Sequence, residues 1–131
     1  MQKQTTTQQI DRAFFSVLLL PEGIVHVKIR GVDEITVEQV KEIIECIGEF
    51  CRDRKRPSLV SSDNFAAPTA EAREYIAKQG SNPYVTATAY IARTLAEKIM
   101  TNAFIRFNKP ARPTKMFTAE KKAIEWLQTF L

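Results

Sequence analysis

Residues Tyr84 to Ala92 set the tightest limit on what this chain can fold into. Val85, Ala87, Ala89 and Ile91 alternate with Tyr84, Thr86, Thr88 and Tyr90, which is the period of a strand. Both sets are fairly apolar, so the strand is expected to be covered on two faces, as strands inside a helix-flanked parallel sheet are. The neighbouring segments agree. Phe14 to Leu20, then Pro21-Glu22-Gly23, then Ile24 to Arg30 predict a β-hairpin, with Pro21 presetting the turn and Gly23 free to take a left-handed conformation. In its second strand Val25, Val27 and Ile29 are expected to be buried, and His26, Lys28 and Arg30 to be wet.

Helices fill the gaps between strands. Thr36 and Gln39 form a capping box, Ile35 and Val40 a hydrophobic staple, and Val40, Ile43, Ile44, Ile47, Phe50 and Cys51 a single apolar stripe that stops before Pro57. Ser58 to Ser62 reads as a short strand, and 63–68 as a loop leading into a helix from Thr69 to about Gln79, ended by Gly80. A helix over Thr94 to Phe107 is expected to turn Leu95, Ile99, Ala103 and Phe107 inward. After the stiff segment 108–113, Lys115 to Phe117 predicts a closing strand. Thr118 caps the last helix, which carries Ala123, Ile124, Leu127, Phe130 and Leu131 on one face and Trp126 at its edge.

The order is therefore β-β-α-β-α-β-α-β-α, an α/β sandwich whose sheet is mostly parallel with an N-terminal antiparallel hairpin. With 131 residues, 44% hydrophobic and 26% charged, the chain has enough material for one core. Residues 1–12 read as a polar arm and 13–131 as a single domain. No run of about 18 apolar residues suits a membrane span, and the polar N-terminus does not suit a signal peptide, so a cytoplasmic location is expected.

The chemistry-bearing residues are sparse. Cys46 and Cys51 have neither the spacing of a zinc pair nor a second cysteine pair to join, so they read as packing residues, with no metal and no cofactor implied. Gly23, Gly31, Gly48 and Gly80 are isolated, which excludes the glycine-rich phosphate loops. His26 is the only histidine and reads as a surface residue. No catalytic residue stands out, and the chain is not expected to be an enzyme. The formal charge is +4, with 9 basic and 10 acidic residues in 1–65 against 10 and 5 in 66–131. That asymmetry suits an acidic partner, but no aromatic stacking motif marks a nucleic-acid surface.

Two groups of residues are candidate sites. Ser61, Ser62, Asp63 and Asn64 follow a central strand and Thr69 opens the next helix, at the sheet edge where open α/β folds bind ligands and where free helical N–H groups meet anions. This loop is read as an interaction or phosphorylation site. Lys109, Arg112 and Lys115 flank two prolines and form a candidate basic patch.

Several stretches carry a family resemblance. They are Thr69-Ala-Glu-Ala-Arg-Glu-Tyr-Ile-Ala77, Asn102-Ala-Phe104, Lys109-Pro110, and Pro113-Thr-Lys-Met-Phe-Thr118 with Ala123 and Trp126-Leu127. Together they resemble a STAS-like family of the Bacteroidetes type, mostly uncharacterised and related in fold to anti-sigma-factor antagonists and CRAL-TRIO lipid-binding domains. The resemblance spans about residues 13 to 131 and implies a small STAS-like α/β domain. Anti-sigma antagonists carry a phosphorylatable serine in an Asp-Ser-Ser/Thr-Gly motif; this chain has Asp63-Asn-Phe-Ala-Ala-Pro-Thr69 there. Where similar sequences read Asp-x-Arg at the strand end, it has Ser61, Ser62 and Asp63. The resemblance implies a non-enzymatic regulatory or protein-interaction module with a protein partner. The alternative it implies is a carrier of a small lipophilic ligand, for which Ala87 and Ala89 leave room beside the sheet. A homodimer is expected, because the hairpin offers an open sheet edge.

Overall fold

Gly23 adopts φ +92° between two antiparallel strands, and the turn closes through Gly23 N–H donating to Leu20 O at 2.9 Å. This hairpin belongs to a six-stranded sheet in the computed structural model, which describes residues 8–78 and 80–131. The strands are β1 (Gln8–Asp11), β2 (Phe15–Leu19), β3 (Val25–Ile29), β5 (Arg56–Ser62), β7 (Val85–Ile91) and β8 (Thr114–Phe117), in the order β1-β2-β3-β5-β7-β8. β1 and β2, and β2 and β3, pair antiparallel; β3, β5, β7 and β8 are parallel to one another. Two short strands, β4 (Glu34–Ile35) and β6 (Ala67–Pro68), pair separately. Four helices follow: α1 (Val37–Glu49), α2 (Ala70–Ala77), α3 (Leu95–Ala103), continued by a π-helical turn over Phe104–Asn108, and α4 (Glu120–Gln128).

The expected mostly parallel α/β architecture with its antiparallel hairpin is present. Its beginning differs from the sequence reading, because Gln8–Asp11 of the polar arm add an edge strand to β2. Of these residues Ile10 alone favours a strand and packs against the larger core, and the pairing uses backbone groups that β2 leaves open. Residues 1–7 of the arm lie outside the described residues.

Each parallel crossover steps toward β8, so right-handed connections put α1, α2 and α3 on one face of the sheet. The other face belongs to α4, which packs on β5, β7 and β8. Two cores result. Phe15, Val17, Val27 and Ile29 meet Val40, Ile43 and Ile47 of α1 in the larger one. Ile24, Leu59, Ala87, Ala89 and Ile91 meet Ala123 and Leu127 of α4 in the smaller. The small side chains of Ala87 and Ala89 let α4 approach β7 closely, so the room they leave is taken by α4. The capping box of α1 forms as expected: Gln39 N–H donates to Thr36 Oγ1 at 3.2 Å, and Thr36 N–H to Gln39 Oε1 at 2.9 Å.

Two helix assignments are corrected. The cap position of α4 is Ala119, which offers no side-chain acceptor, and not Thr118. In α3, Leu95, Ile99 and Phe107 point outward, with 73%, 61% and 75% of their surfaces exposed. Thr101 and Phe104 take the inward positions that the sequence reading gave to those residues.

Candidate functional site

The layer between the sheet and α1–α3 is not filled. On β5 and β7 the side chains that line it are Ser58, Val60, Ser62, Thr88 and Tyr90, several of them polar where a strand covered on both faces ordinarily places branched aliphatic residues. Because Leu95 and Ile99 turn away, α3 covers this part of the sheet with Met100, Thr101 and Phe104. The result is a cavity of about 150 Å³. Its walls are mainly apolar, with Val27, Ile29 and Val60 on the sheet side and Ile43 and Ile47 on α1.

The lining also carries polar groups. Ser58 and Thr88 hydroxyls are hydrogen-bonded to each other at 3.0 Å, and Tyr90, Thr101 and Arg112 are on the same lining. Tyr90 packs edge-on against Phe104 at 5.9 Å, and burial pushes its phenol up to about 12. Arg112 is half-buried and donates from Nη1 to Ile76 O at 3.1 Å. Burial lowers the pKa of its guanidinium, and proximity to Tyr90 opposes that shift. Thr86 Oγ1 is buried with no hydrogen-bond partner among the described residues.

A family model described as a domain of unknown function, DUF7793, matches residues 18–131. The chain belongs to that family. No curated protein matches this chain. Among solved structures it is similar to an uncharacterised protein of the DUF3478 family from Shewanella loihica PV-4 that has a SpoIIAA-like fold. The TM-score is 0.55 and the identity 13%, over 97% of this chain and 99% of the other. This likeness establishes the STAS-like fold. A second structure, a protein with unknown function from Arthrobacter sp. FB24, is 23% identical over 85% of this chain and 90% of its own, but its TM-score of 0.30 carries no argument.

The loop singled out in the sequence meets the cavity at one end and divides between the two sheet faces. Ser61, Ser62, Ala66 and Pro68 border the cavity. Ser61 alternates to the α4 face, where its Oγ lies 2.8 Å from His26 Nε2. Asp63 and Asn64 are exposed; Asp63 N–H donates to Ile29 O at 3.1 Å, and Asn64 Nδ2 to Val32 O at 3.2 Å. Thr69 caps α2, its Oγ1 accepting from Ala72 N–H at 3.0 Å.

The three basic residues of the candidate patch do not share a surface. Arg112 turns into the cavity, whereas Lys115 lies over the rings of Phe117 and Trp126 at 5.5 and 5.9 Å. Lys109 is exposed at a left-handed residue, φ +51°, just after the π-helical turn.

His26 corrects the sequence reading most sharply. It is buried, 3% exposed, because its end of the β3 face lies in the layer closed by α4, whereas Lys28, two residues on along the same face, is exposed as expected. Burial lowers its pKa, Glu120 raises it and Lys28 lowers it further. The cavity residues Ser58, Thr88, Tyr90 and Thr101 were not singled out from sequence. For Ser58, Thr88 and Tyr90 the signal was available as hydroxyls at strand positions where a doubly covered sheet calls for aliphatic side chains, whereas Thr101 lies on α3 and carries no such signal.

Proposed function

We propose that this domain is a non-enzymatic protein-interaction module of the STAS-like regulatory kind, and that α3 docks an acidic, amphipathic segment of a protein partner. The observation that carries this reading is the apolar stripe of Leu95, Ile99 and Phe107, each more than half exposed, on one helix and the turn that continues it. Single exposed apolar residues are ordinary, but a row at helical spacing is the pattern that helix-in-groove and helix-on-helix partners use. Lys98 lies on the same helix, and exposed Arg106 and Lys109 lie on the turn that continues it and just after it. Their charge suits carboxylates on the partner and would steer its approach.

The homodimer reading gains less support at the hairpin than the sequence alone implied. The hairpin edge is covered by β1, and that new edge carries Gln8, Gln9 and Asp11, which are exposed and blunt strand addition. A second copy is therefore an alternative occupant of the α3 stripe. The carrier reading has a size limit: a cavity of about 150 Å³ is well under the roughly 300 Å³ at which pockets for drug-sized ligands begin. Among the described residues no helix is long and apolar enough to cross a membrane, and no group of three His, Cys, Asp or Glu side chains is placed to hold a metal ion.

The test is selection from a displayed library of random sixteen-residue peptides, followed by titration of the winners. Binders should be rich in Asp and Glu, carry apolar residues at i and i+4 spacing, weaken as salt rises, and lose at least tenfold in affinity against Ile99→Lys. Winners that bind Ile99→Lys and Leu95→Lys as well as the unaltered domain would overturn the reading. A dimer mass in light scattering that Ile99→Lys abolishes would instead give the stripe to a second copy.

A further inference from the structure

Arg112 is a half-buried cation beside a mostly apolar cavity. Its Nη1 is engaged by Ile76 O, a neutral carbonyl, and among the described residues no salt bridge reaches it. Charges withdrawn from water are ordinarily paired, because an unpaired one keeps its desolvation cost. A guanidinium carries five N–H donors in a planar fork that fits a carboxylate edge, so one carbonyl leaves most of its capacity open. Glu97 also lines the cavity, but its Oε1 accepts the N–H groups of Arg93 at 2.8 Å and Thr94 at 3.2 Å and is held by the cap of α3.

The surroundings of Arg112 define the rest of a ligand. The phenol of Tyr90 forms no hydrogen bond to a described residue, and Thr101 and the bonded pair Ser58 and Thr88 add hydroxyls on the same lining. Beyond them the walls are Ile43, Ile47, Val60, Met100 and Phe104. A cavity near 150 Å³ with such walls holds a group of about the size of a benzene ring. Phe104 is also the first residue of the π-helical turn, a local irregularity that recurs at functional sites and here sets an aromatic edge against Tyr90.

We propose that this cavity binds a small monocarboxylic acid, aryl or branched aliphatic, whose compact apolar body is about the size of a benzene ring, with its carboxylate on Arg112 and its body against α1 and α3. Tyr90 and Thr101 stand as further hydrogen-bond donors for the head. A ligand with a long acyl chain is excluded by size. The docking role of α3 uses the opposite side of that helix and does not depend on the cavity being filled.

The experiment titrates the full chain with phenylacetate, 2-phenylethanol and toluene, following amide chemical shifts and thermal midpoint. Phenylacetate should bind saturably, raise the midpoint, and shift the amides of β5, β7 and the π-helical turn. It should bind at least tenfold more tightly than 2-phenylethanol, which has the same ring without the charge. Arg112→Gln should lose at least tenfold for phenylacetate while leaving 2-phenylethanol and toluene within twofold. Because Arg112 also holds Ile76 O, Met100→Trp serves as an independent variant: it fills the cavity from α3 while leaving Arg112 in place and should abolish binding of all three. The proposal is overturned if phenylacetate shows no saturable shift, if 2-phenylethanol binds as well as the acid, or if Met100→Trp, folded by its amide spectrum, binds phenylacetate undiminished.

Discussion

His26 Nε2 and Ser61 Oγ lie 2.8 Å apart across the parallel pair β3 and β5, in the layer closed by α4, with 3% and 8% of the two residues exposed. A serine hydroxyl both donates and accepts, so it satisfies this nitrogen in either neutral tautomer. The pair fastens two interior strands and places a titratable group where charge is costly.

Stability should therefore depend on the protonation of His26. Burial holds its folded pKa below the ordinary value of 6.5, against a smaller opposing pull from Glu120. Above pH 6.5 both folded and unfolded chains carry neutral imidazole, and the stability is fully present. As pH falls from 6.5 through the lower folded pKa, the unfolded chain takes up a proton that the folded chain resists, so stability is lost. Urea midpoints between pH 7.5 and 5 should fall for the unaltered protein and flatten for His26→Gln, with carboxylates titrating alike in both. Parallel slopes in the two proteins would contradict the assignment.

The docking of α4 rests on Leu127, which is fully buried against β5 and β7, and on Trp126, which packs on Phe117 at 5.7 Å and Phe130 at 4.9 Å. Leu127→Ala should cost about 2–5 kcal/mol, and Trp126→Ala a smaller part of that range because the indole is half-exposed. Denaturant midpoints measure both. Losses under about 0.5 kcal/mol in each would mean that the sheet does not need this helix.

The legible parts of the fold were those written in local chemistry. Thr36 with Gln39, Thr69 before α2, Gly23 in the turn and the alternation of β7 each act within a few residues, and each appears in the structure. Tertiary choices were harder to read. Strand β1 is polar except for Ile10 and forms because β2 leaves an edge; His26 is buried because α4 closes over its part of the sheet. In α3 the stripe of Leu95 and Ile99 competes with the stripe of Met100, Thr101 and Phe104, and periodicity cannot say which faces the sheet. The cavity was hidden for the same reason, since it exists only because the smaller and more polar stripe is the one turned inward.

Thr86 Oγ1 is buried without a partner, so the hydroxyl loses its hydrogen bonds to water and gains nothing in return. Thr86→Val keeps the branched shape and removes the oxygen. It should raise stability by about 1–3 kcal/mol, read from urea midpoints. A loss of stability would show that the hydroxyl is satisfied in solution.

The loop after β5 separates cap from surface. Thr69→Ala removes the acceptor for Ala72 N–H and should cost about 0.5–2 kcal/mol. Asp63 is exposed, and its structural bond is made by the backbone, so Asp63→Ala should stay within about 0.5 kcal/mol. Equal losses in the two variants would argue that the Asp63 carboxylate carries part of the fold.

The orientation of α3 gives the sharpest contrast. Phe104 is 7% exposed and sits edge-on to Tyr90, whereas Ile99, five residues earlier, is 61% exposed. Phe104→Ala should cost about 3–5 kcal/mol, because the lost ring enlarges a cavity that the neighbouring helices already fail to fill. Ile99→Lys should change stability by no more than about 0.5 kcal/mol, since it trades one solvated side chain for another. Guanidinium midpoints on the two variants decide between the faces. If Ile99→Lys proves the more damaging, α3 is turned the other way and the stripe is core; if the contrast holds, the apolar row on α3 is free to meet a partner.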